Sequence, residues 1–186
     1  MRDRIKVKAA LQDFSAGAEL QVAGWARSVR VGKGVTFISL NDGSCLSTLQ
    51  VVADPTIENY AEVSRVGTGA ALAIRGRLAE SPAAGQKYEL HAVRIEIVGP
   101  ADDSYPMQKK RHGFEYLRTV AHLRPRTNTF GAVFRVRSSL AQAIHGFFAE
   151  RGFLPDALRL IGLHGRAAHL ILQQAGGEQR GIAHHP

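Results

Sequence analysis

Three short β-type segments, separated by turn residues, lie between Gly24 and Val52. Gly32 and Gly34 separate the first segment from the second, and the Asn-Asp-Gly-Ser run at 41–44 separates the second from the third. An Asp-Gly pair between apolar runs is a strong signal for a β-hairpin. The stretch therefore predicts three consecutive strands joined by short connections.

Alternation along these predicted strands sorts their side chains onto two faces. Ile38 and Leu40 fall on an aliphatic face that suits a core, whereas Phe37 falls on the opposite face with Gln50 of the third segment, and Arg30 lies nearby. A ring beside an amide and a guanidinium group can stack a nucleobase and hydrogen-bond its edge. The alternative is that Phe37 lies under a loop or helix and that Gln50 is ordinary surface polarity.

The remaining segments extend the pattern to a barrel. The strand-like runs are 20–31, 35–40, 47–52, 70–78 and 88–98. Helical spacing at about 56–65 separates the third from the fourth, and residues 1–19 predict a lead-in strand or helix. Five strands with a helix after the third are typical of the OB-fold, a Greek-key barrel that binds oligonucleotides. The sequence therefore predicts a mainly β fold, with its binding face on the second and third strands.

The positive charge is concentrated after the predicted barrel. The 186 residues carry a formal net charge of +8, of which 101–154 contribute +5 and 1–100 only +2. Such a balance favours an anionic partner. Lys109 and Lys110, in the connector that follows the barrel, are candidate phosphate contacts. The alternative is a solvated hinge whose charges pair with another domain.

The strongest helical pattern lies at 129–151, where apolar residues recur at spacings of three and four. Thr127 or Asn128 is predicted to cap this helix, and Gly152 to end it. Its apolar face is wide and needs another element to pack against. Phe147 and Phe148 would be core residues against such an element, and we expect them to be partly uncovered in this chain.

Other classes of protein find little support in the sequence. No run approaches 18 apolar residues, so no membrane span is expected. One cysteine, Cys45, excludes an internal disulfide framework and, with no signal-peptide core at the N-terminus, favours a cytoplasmic protein. Four histidines follow residue 160, but no cluster of carboxylates or cysteines accompanies them, so no metal site is predicted.

Barrel, connector and helix together resemble the N-terminal part of bacterial asparaginyl-tRNA synthetases, which are class II aminoacyl-tRNA synthetases of the aspartyl subgroup. The likeness covers about 20–154. The runs that carry it are Gly24-Trp25, 37–45, 49–52, Tyr105-Pro106, Lys109-Lys110-Arg111-His112, 115–118, 121–128 and 150–154.

The resemblance implies that the OB-fold binds a tRNA anticodon. Carried over by position, Phe37 would stack on the central uridine and Gln50 would hydrogen-bond its edge. Arg30 would contact the anticodon loop, and Glu89 would contact a neighbouring base. A β-bulge at Gly32 and Gly34, next to Arg30, is an alternative that would change the direction of the Arg30 side chain.

The likeness ends after Leu154. In the family, complete enzymes attach asparagine to tRNA with ATP and Mg²⁺ and form homodimers. The second and third motifs that hold ATP are absent from these 186 residues. The resemblance therefore implies a tRNA-binding portion without catalytic residues or a cofactor of its own, and the missing catalytic sheet argues against the homodimer here.

The predicted organisation has four parts: an OB-fold domain at 1–100, a basic linker at 101–128, a first-motif helix at 129–154, and a divergent, poorly ordered tail at 155–186. The composition of the tail is typical of an out-of-frame reading, so we expect a truncated or frameshifted gene. Two alternatives are a non-catalytic OB-fold nucleic-acid-binding protein and a gene remnant without function.

Overall fold

The structure is a computed structural model that describes residues 4–108, 110 and 112–152. The chain divides into two compact units, Met1–Arg135 and Val136–Pro186. Lys109 and the predicted tail lie outside the described residues. The elements are α1 (Val7–Gln12), β1 (Glu19–Gly32), β2 (Val35–Asn41), β3 (Leu49–Ala53), α2 (Tyr60–Val63), β4 (Ala71–Glu80), β5 (Tyr88–Gly99), α3 (Phe114–Thr119), a 3-10 turn (Arg124–Arg126) and α4 (Asn128–Ala149).

Five strands form a closed barrel in the order β1-β2-β3-β5-β4. The β3–β5 pair is parallel and the other pairs are antiparallel. The first half of β1 pairs with β4, and its second half pairs with β2. The register of the β1–β2 pairing shifts between Ala26 and Ser28. Such irregularities bend a strand locally. The predicted mainly β, five-stranded barrel is confirmed.

Aliphatic side chains fill the barrel, as the alternation predicts. Ile38, Leu40, Leu49 and Val51 are fully buried. Further members of the core are Val22, Leu72, Ile74, Leu78, Leu90 and Ile95. Each side chain of this size contributes about 1.5–3 kcal/mol when it leaves water. Burial on one side of each strand therefore fixes which residues face outward.

Steric contact explains why glycine precedes tryptophan in the Gly24-Trp25 pair. A Cβ atom on Gly24 would lie 2.3 Å from the carbonyl oxygen of Asn41, so a side chain there would push β1 away from the end of β2. The following residue, Trp25, pairs with Asn41, and its ring lies against the loop at Gly43. The glycine thus permits the close approach that seats the tryptophan beside the β2–β3 loop.

The helix predicted at 56–65 is shorter in the structure. The Oδ1 atom of Asp54 accepts hydrogen bonds from the amide and the hydroxyl of Thr56, and the Asn59 side chain donates to the carbonyl of Ile95 at 2.9 Å. Local side-chain bonds of this kind compete with helix formation. They hold a series of turns before Tyr60, where α2 begins.

The N-terminal lead-in makes one bridge, Ile5 to Val22, and then forms α1. The amide of Val7 donates to Asp42 Oδ2 at 3.0 Å, and Ser44 donates to Asp42 through both its amide and its hydroxyl. Burial raises the pKa of Asp42, but these hydrogen bonds outweigh it and hold the pKa below its ordinary value. The carboxylate therefore ties α1 to the β2–β3 loop.

The connector folds back onto the barrel. The Tyr105 ring covers Gly69 so closely that a Cβ atom there would lie 2.7 Å from the ring. Arg126 donates to the Tyr105 hydroxyl at 2.9 Å, and its guanidinium carbon lies 4.8 Å from the centre of the Trp25 ring. These contacts show that Arg126 is engaged with barrel-side aromatic rings, in contrast to the alternative of a solvated hinge.

Helix α4 begins at Asn128, and the Thr127 hydroxyl accepts the amide of Phe130 at 3.2 Å, which confirms the predicted cap. Gly152 follows the end of the helix with a φ of 82°. In the second unit, Phe147 and Phe148 are 51% and 46% exposed, which agrees with the expectation that they are partly uncovered in this chain. None of the helices in the described ranges combines the length and the apolar composition that a bilayer span requires.

Candidate nucleic-acid interface

Strand register brings the predicted binding residues of the barrel onto one outer face. Two neighbouring rows of side chains run across β1, β2, β3 and β5. The amide row consists of Ser28, Ser39, Gln50 and Glu89. The ring row consists of Arg30, Phe37, Val52 and His91. Residues that share a row are direct cross-strand neighbours, and the two rows lie two residues apart along each strand.

Phe37 and Arg30 are partners in the ring row. They are paired across β1 and β2, and the guanidinium carbon of Arg30 lies 4.9 Å from the centre of the half-buried Phe37 ring. A cation over a ring at this distance is attracted by the ring quadrupole. Pairing continues without interruption from Ser28 to Gly32, so the bulge left open beside Arg30 lies instead between Ala26 and Ser28.

Gln50 lies in the middle of the amide row and is half-buried. Beside it, the hydroxyl of Ser28 donates to that of Ser39 at 3.1 Å. Within the part of the chain that the structure describes, no group bonds the Gln50 amide. This side chain can therefore offer one donor group and one acceptor to a base edge.

Glu89 is more enclosed than its place on the outer face suggests. Its side chain is 9% exposed. The hydroxyl of Ser81 and the amide of Gln86 donate to Oε2 at 3.3 and 3.5 Å, and His91 Nε2 lies 3.0 Å from Oε1. The predicted contact of Glu89 with a base stays a prediction, made by a carboxylate that already has three partners.

His91 is a surface residue that the sequence analysis did not select. Its side chain is 49% exposed, and it lies next to Val52 in the ring row. The available signal was its spacing, since a residue two positions after Glu89 on a strand faces the same way. Its contact with Glu89 joins the two rows.

A groove of about 790 Å³ separates the barrel from the connector, and we call it the connector groove. Its wall includes Ser28 and Ser39 of the amide row, so it adjoins the barrel face. Its cationic residues are Arg27, Lys110 and Arg126, with His112 among its other polar residues. Among the described residues that line it there is no aspartate or glutamate. The groove thus has the electrostatic character of an anion site.

The structure therefore gathers Arg30, Phe37, Gln50 and Glu89 on one face and places the exposed Lys110 in the adjoining groove. Lys109 lies outside the described residues. No group of three or more His, Cys, Asp or Glu residues suited to a metal ion occurs in the described ranges. The four late histidines fall in the tail, beyond those ranges.

Comparison with known proteins gives a consistent result. Residues 20–98 match the family described as an OB-fold nucleic acid binding domain. The chain is 70% identical over 154 residues to the asparagine–tRNA ligase of Geotalea uraniireducens, and 66% identical over 154 residues to that of Geobacter sulfurreducens. Each match covers 83% of this chain and 33% of the relative, so the chain spans about a third of the length of these curated relatives.

The fold also matches a solved structure. The asparaginyl-tRNA synthetase from Pyrococcus horikoshii, complexed with asparaginyl-adenylate, superimposes with a TM-score of 0.70 at 18% sequence identity. The match covers 83% of this chain and 37% of that protein. At this identity the likeness concerns the fold, and it includes more than the barrel.

Proposed function

We propose that this chain, which is homologous to the N-terminal third of asparagine–tRNA ligases, binds the anticodon loop of a tRNA on the outer face of its barrel. One observation carries the proposal. Strand register places the Phe37 ring, the Arg30 guanidinium and the Gln50 amide side by side on an OB-fold barrel. OB-folds bind oligonucleotides on this part of their surface.

The ring row supplies stacking in this proposal. A base of a single-stranded loop is splayed out and stacks on an aromatic side chain, which is worth about 1–3 kcal/mol for each base. Phe37 takes the central base of the anticodon, and Arg30 stabilises the ring by lying 4.9 Å from its centre. The guanidinium also adds attraction for the neighbouring phosphates.

The amide row supplies selectivity. Uridine presents a ring N–H and carbonyl oxygens on its edge, and an amide can accept from the first while it donates to the second. Gln50 lies beside the ring row on β3, directly next to Glu89 on β5. We therefore assign the preference for a central uridine, which the asparagine anticodon contains, to Gln50.

The connector groove supplies attraction that does not depend on sequence. Its cations adjoin the barrel face through the serines that the groove shares with the amide row. Lys110, together with Lys109, would neutralise phosphates of the anticodon stem-loop. Phosphate contacts position a nucleic acid but carry no base information.

A titration of two tRNAs tests the proposal. One carries the asparagine anticodon, and the other differs only by cytidine at the central position. We expect the first to bind about tenfold more tightly at moderate salt, since one hydrogen bond is worth about 0.5–1.5 kcal/mol. Equal dissociation constants, or no binding of either tRNA, would contradict the proposal.

A second candidate function is sequence-independent binding of nucleic acid. The absence of acidic residues from the described lining of the groove favours it. The same titration separates the two functions, because this candidate predicts steep salt dependence without any preference for the central base.

The proposal extends to the complete proteins of the family. For these we propose the ligase activity that the relatives' name states, with ATP and Mg²⁺ as cofactors, a homodimeric assembly and a cytoplasmic location. To the described residues of this chain we assign tRNA binding and no step of catalysis.

A further inference from the structure

Arg27 lies at the irregularity of β1. Ala26 and Ser28 pair with consecutive residues of β2, so Arg27 between them is an extra residue without a partner on that strand. An extra residue of this kind is a β-bulge, which bends the strand and changes the direction of a side chain. The Arg27 side chain lines the connector groove.

The bulge also changes the alternation of β1. Ala26 is fully buried, and Val29 packs against the core. Between them, Arg27 and Ser28 are both half-buried, and both line the groove. Strict alternation from Ala26 would turn Ser28 toward the core. Because of the bulge, Ser28 joins the amide row instead, and Arg27 lies beside it at the boundary between the barrel face and the groove.

The β2–β3 loop orients the Arg27 guanidinium. The guanidinium donates to the carbonyl of Leu46 at 3.4 Å. The buried Asn41 amide holds this loop by donating to the carbonyls of Cys45 and Ser47 at 3.2 and 2.7 Å. A guanidinium has five N–H donors. Within the described parts of the chain, the Leu46 carbonyl is the only group that bonds the Arg27 side chain, so most of its donors remain available.

The surroundings of Arg27 suit a phosphate. The described lining of the groove holds two further cations, Lys110 and Arg126, and no carboxylate. Arg126 already donates to the Tyr105 hydroxyl. A guanidinium binds a phosphate through two parallel N–H···O bonds, whereas an ammonium acts as a point charge. Arg27 therefore combines available donors with the planar geometry that fixes the position of a phosphate.

We propose that Arg27 binds a backbone phosphate next to the central anticodon nucleotide, and that the RNA strand passes there from the barrel face into the connector groove. The inference rests on the proposed function and deepens it, because it gives the RNA backbone a fixed attachment beside the reading face. Gln50 lies two strands from Ser28 in the amide row, which is about 10 Å. Arg27 and Gln50 can therefore hold the phosphate and the base of adjacent nucleotides.

Arg27→Gln is the first test. The variant removes the charge but keeps an N–H donor for the Leu46 carbonyl. In the full chain, we expect it to weaken binding of the asparagine-anticodon tRNA about three- to tenfold and to lower the salt slope by about 1. Arg65→Gln is the matched control, because Arg65 is exposed and belongs neither to the two rows nor to the groove lining. Equal affinities of the two variants would overturn the proposal.

Neutral phosphates locate the contact. Anticodon stem-loops with a single methylphosphonate, placed at each loop position in turn, lack one backbone charge at a time. We expect a methylphosphonate beside the central nucleotide to weaken binding by the native chain as much as Arg27→Gln does. The two changes together should be no worse than either alone, whereas Arg65→Gln should leave the methylphosphonate effect intact. If every methylphosphonate keeps its full effect in Arg27→Gln, Arg27 does not bind the phosphate.

A purely structural role for Arg27 predicts a different result. If Arg27 only holds the Leu46 carbonyl, Arg27→Gln lowers the thermal unfolding temperature and leaves the methylphosphonate effects unchanged. The scan with the native chain requires no variant to fold, and insensitivity of both phosphates beside the central nucleotide would also contradict the proposal. If the native chain binds no tRNA, the proposed function falls with it. If the native chain distinguishes the central base and Arg27→Gln binds as tightly, the function stands and the role of Arg27 falls.

Discussion

The barrel face and the connector groove present polar groups to solvent in different ways. On the barrel face, each functional side chain has a position fixed by backbone pairing, as with Arg30 opposite Phe37 and Gln50 opposite Glu89. In the groove, the exposed Lys110 contributes charge, and no hydrogen bond or ion pair among the described residues holds its ammonium group. Reading a base requires fixed positions, whereas attraction of phosphates requires only charge.

The distribution of charge agrees with this division. Residues 1–100 carry a net charge of +2, and residues 101–154 carry +5. The face combines one arginine with a ring, an amide and a carboxylate, whereas the described lining of the groove has cations and no carboxylate. Changes on the face should therefore alter the reading of bases, changes in the groove should alter attraction, and the stability of each region should depend on its own contacts.

Phe37→Ala should have the largest effect on binding. We expect the affinity for the asparagine-anticodon tRNA to fall by about 1–3 kcal/mol, the value of one base–aromatic stack. Val31→Ala is a suitable control, since Val31 is 56% exposed on the same pair of strands. Filter binding or fluorescence anisotropy at fixed salt gives both values. An unchanged affinity for Phe37→Ala would mean that the ring is only a packing residue.

Arg126→Ala should loosen the attachment of the connector. It removes a cation–π contact with Trp25 and a hydrogen bond to Tyr105, so the free energy of unfolding should fall by about 1–2 kcal/mol. Arg118→Ala removes only an exposed pair with Glu115 and should cost under about 0.5 kcal/mol. Urea denaturation compares the two. Similar losses for both variants would show that the connector is not held by Arg126.

Asp42 should make the barrel sensitive to acid. Because its folded-state pKa is lowered, its contribution is present above the ordinary carboxyl pKa and is lost as pH falls through the lowered value. Asp42→Asn should therefore cost about 1 kcal/mol at pH 7, and the difference from the native chain should shrink below about pH 4. Chemical denaturation at several pH values measures this difference. A difference that grows in acid would contradict the assignment.

Lys110→Ala should have the smallest effect. The exposed ammonium contributes attraction alone, so we expect a loss of about 0.5–1 kcal/mol that is the same for all tRNAs, with a salt slope reduced by about 1. Titrations at several salt concentrations give the slope. A loss confined to one anticodon would assign reading, rather than attraction, to the groove.

Much of the barrel can be predicted from local pattern. Burial of Ile38 and Leu40 and the outward position of Phe37 follow from a period of two, which requires no knowledge of strand partners. The choice of partner is different. That Arg30 lies over Phe37 depends on where β1 is irregular, and the structure places the irregularity between Ala26 and Ser28 rather than beside the glycines.

Contacts between distant segments could not be predicted in the same way. Glu89 is enclosed because Ser81 and Gln86 fold back to its carboxylate, and that contact leaves His91 as the exposed group. Arg126 contacts Trp25, although the two residues are far apart in the sequence of the first unit. Neither contact leaves a periodic signal in the sequence, because each depends on the path of the chain in three dimensions.

The ratio of two dissociation constants tests the division between reading and attraction most directly. It is measured for tRNAs that differ only at the central anticodon base, with the native chain, Gln50→Ala and Lys110→Ala. We predict that the ratio falls to about one in Gln50→Ala, where the base edge loses its partner, and keeps its native value in Lys110→Ala. A ratio that survives in Gln50→Ala, or that collapses in Lys110→Ala, would contradict the division.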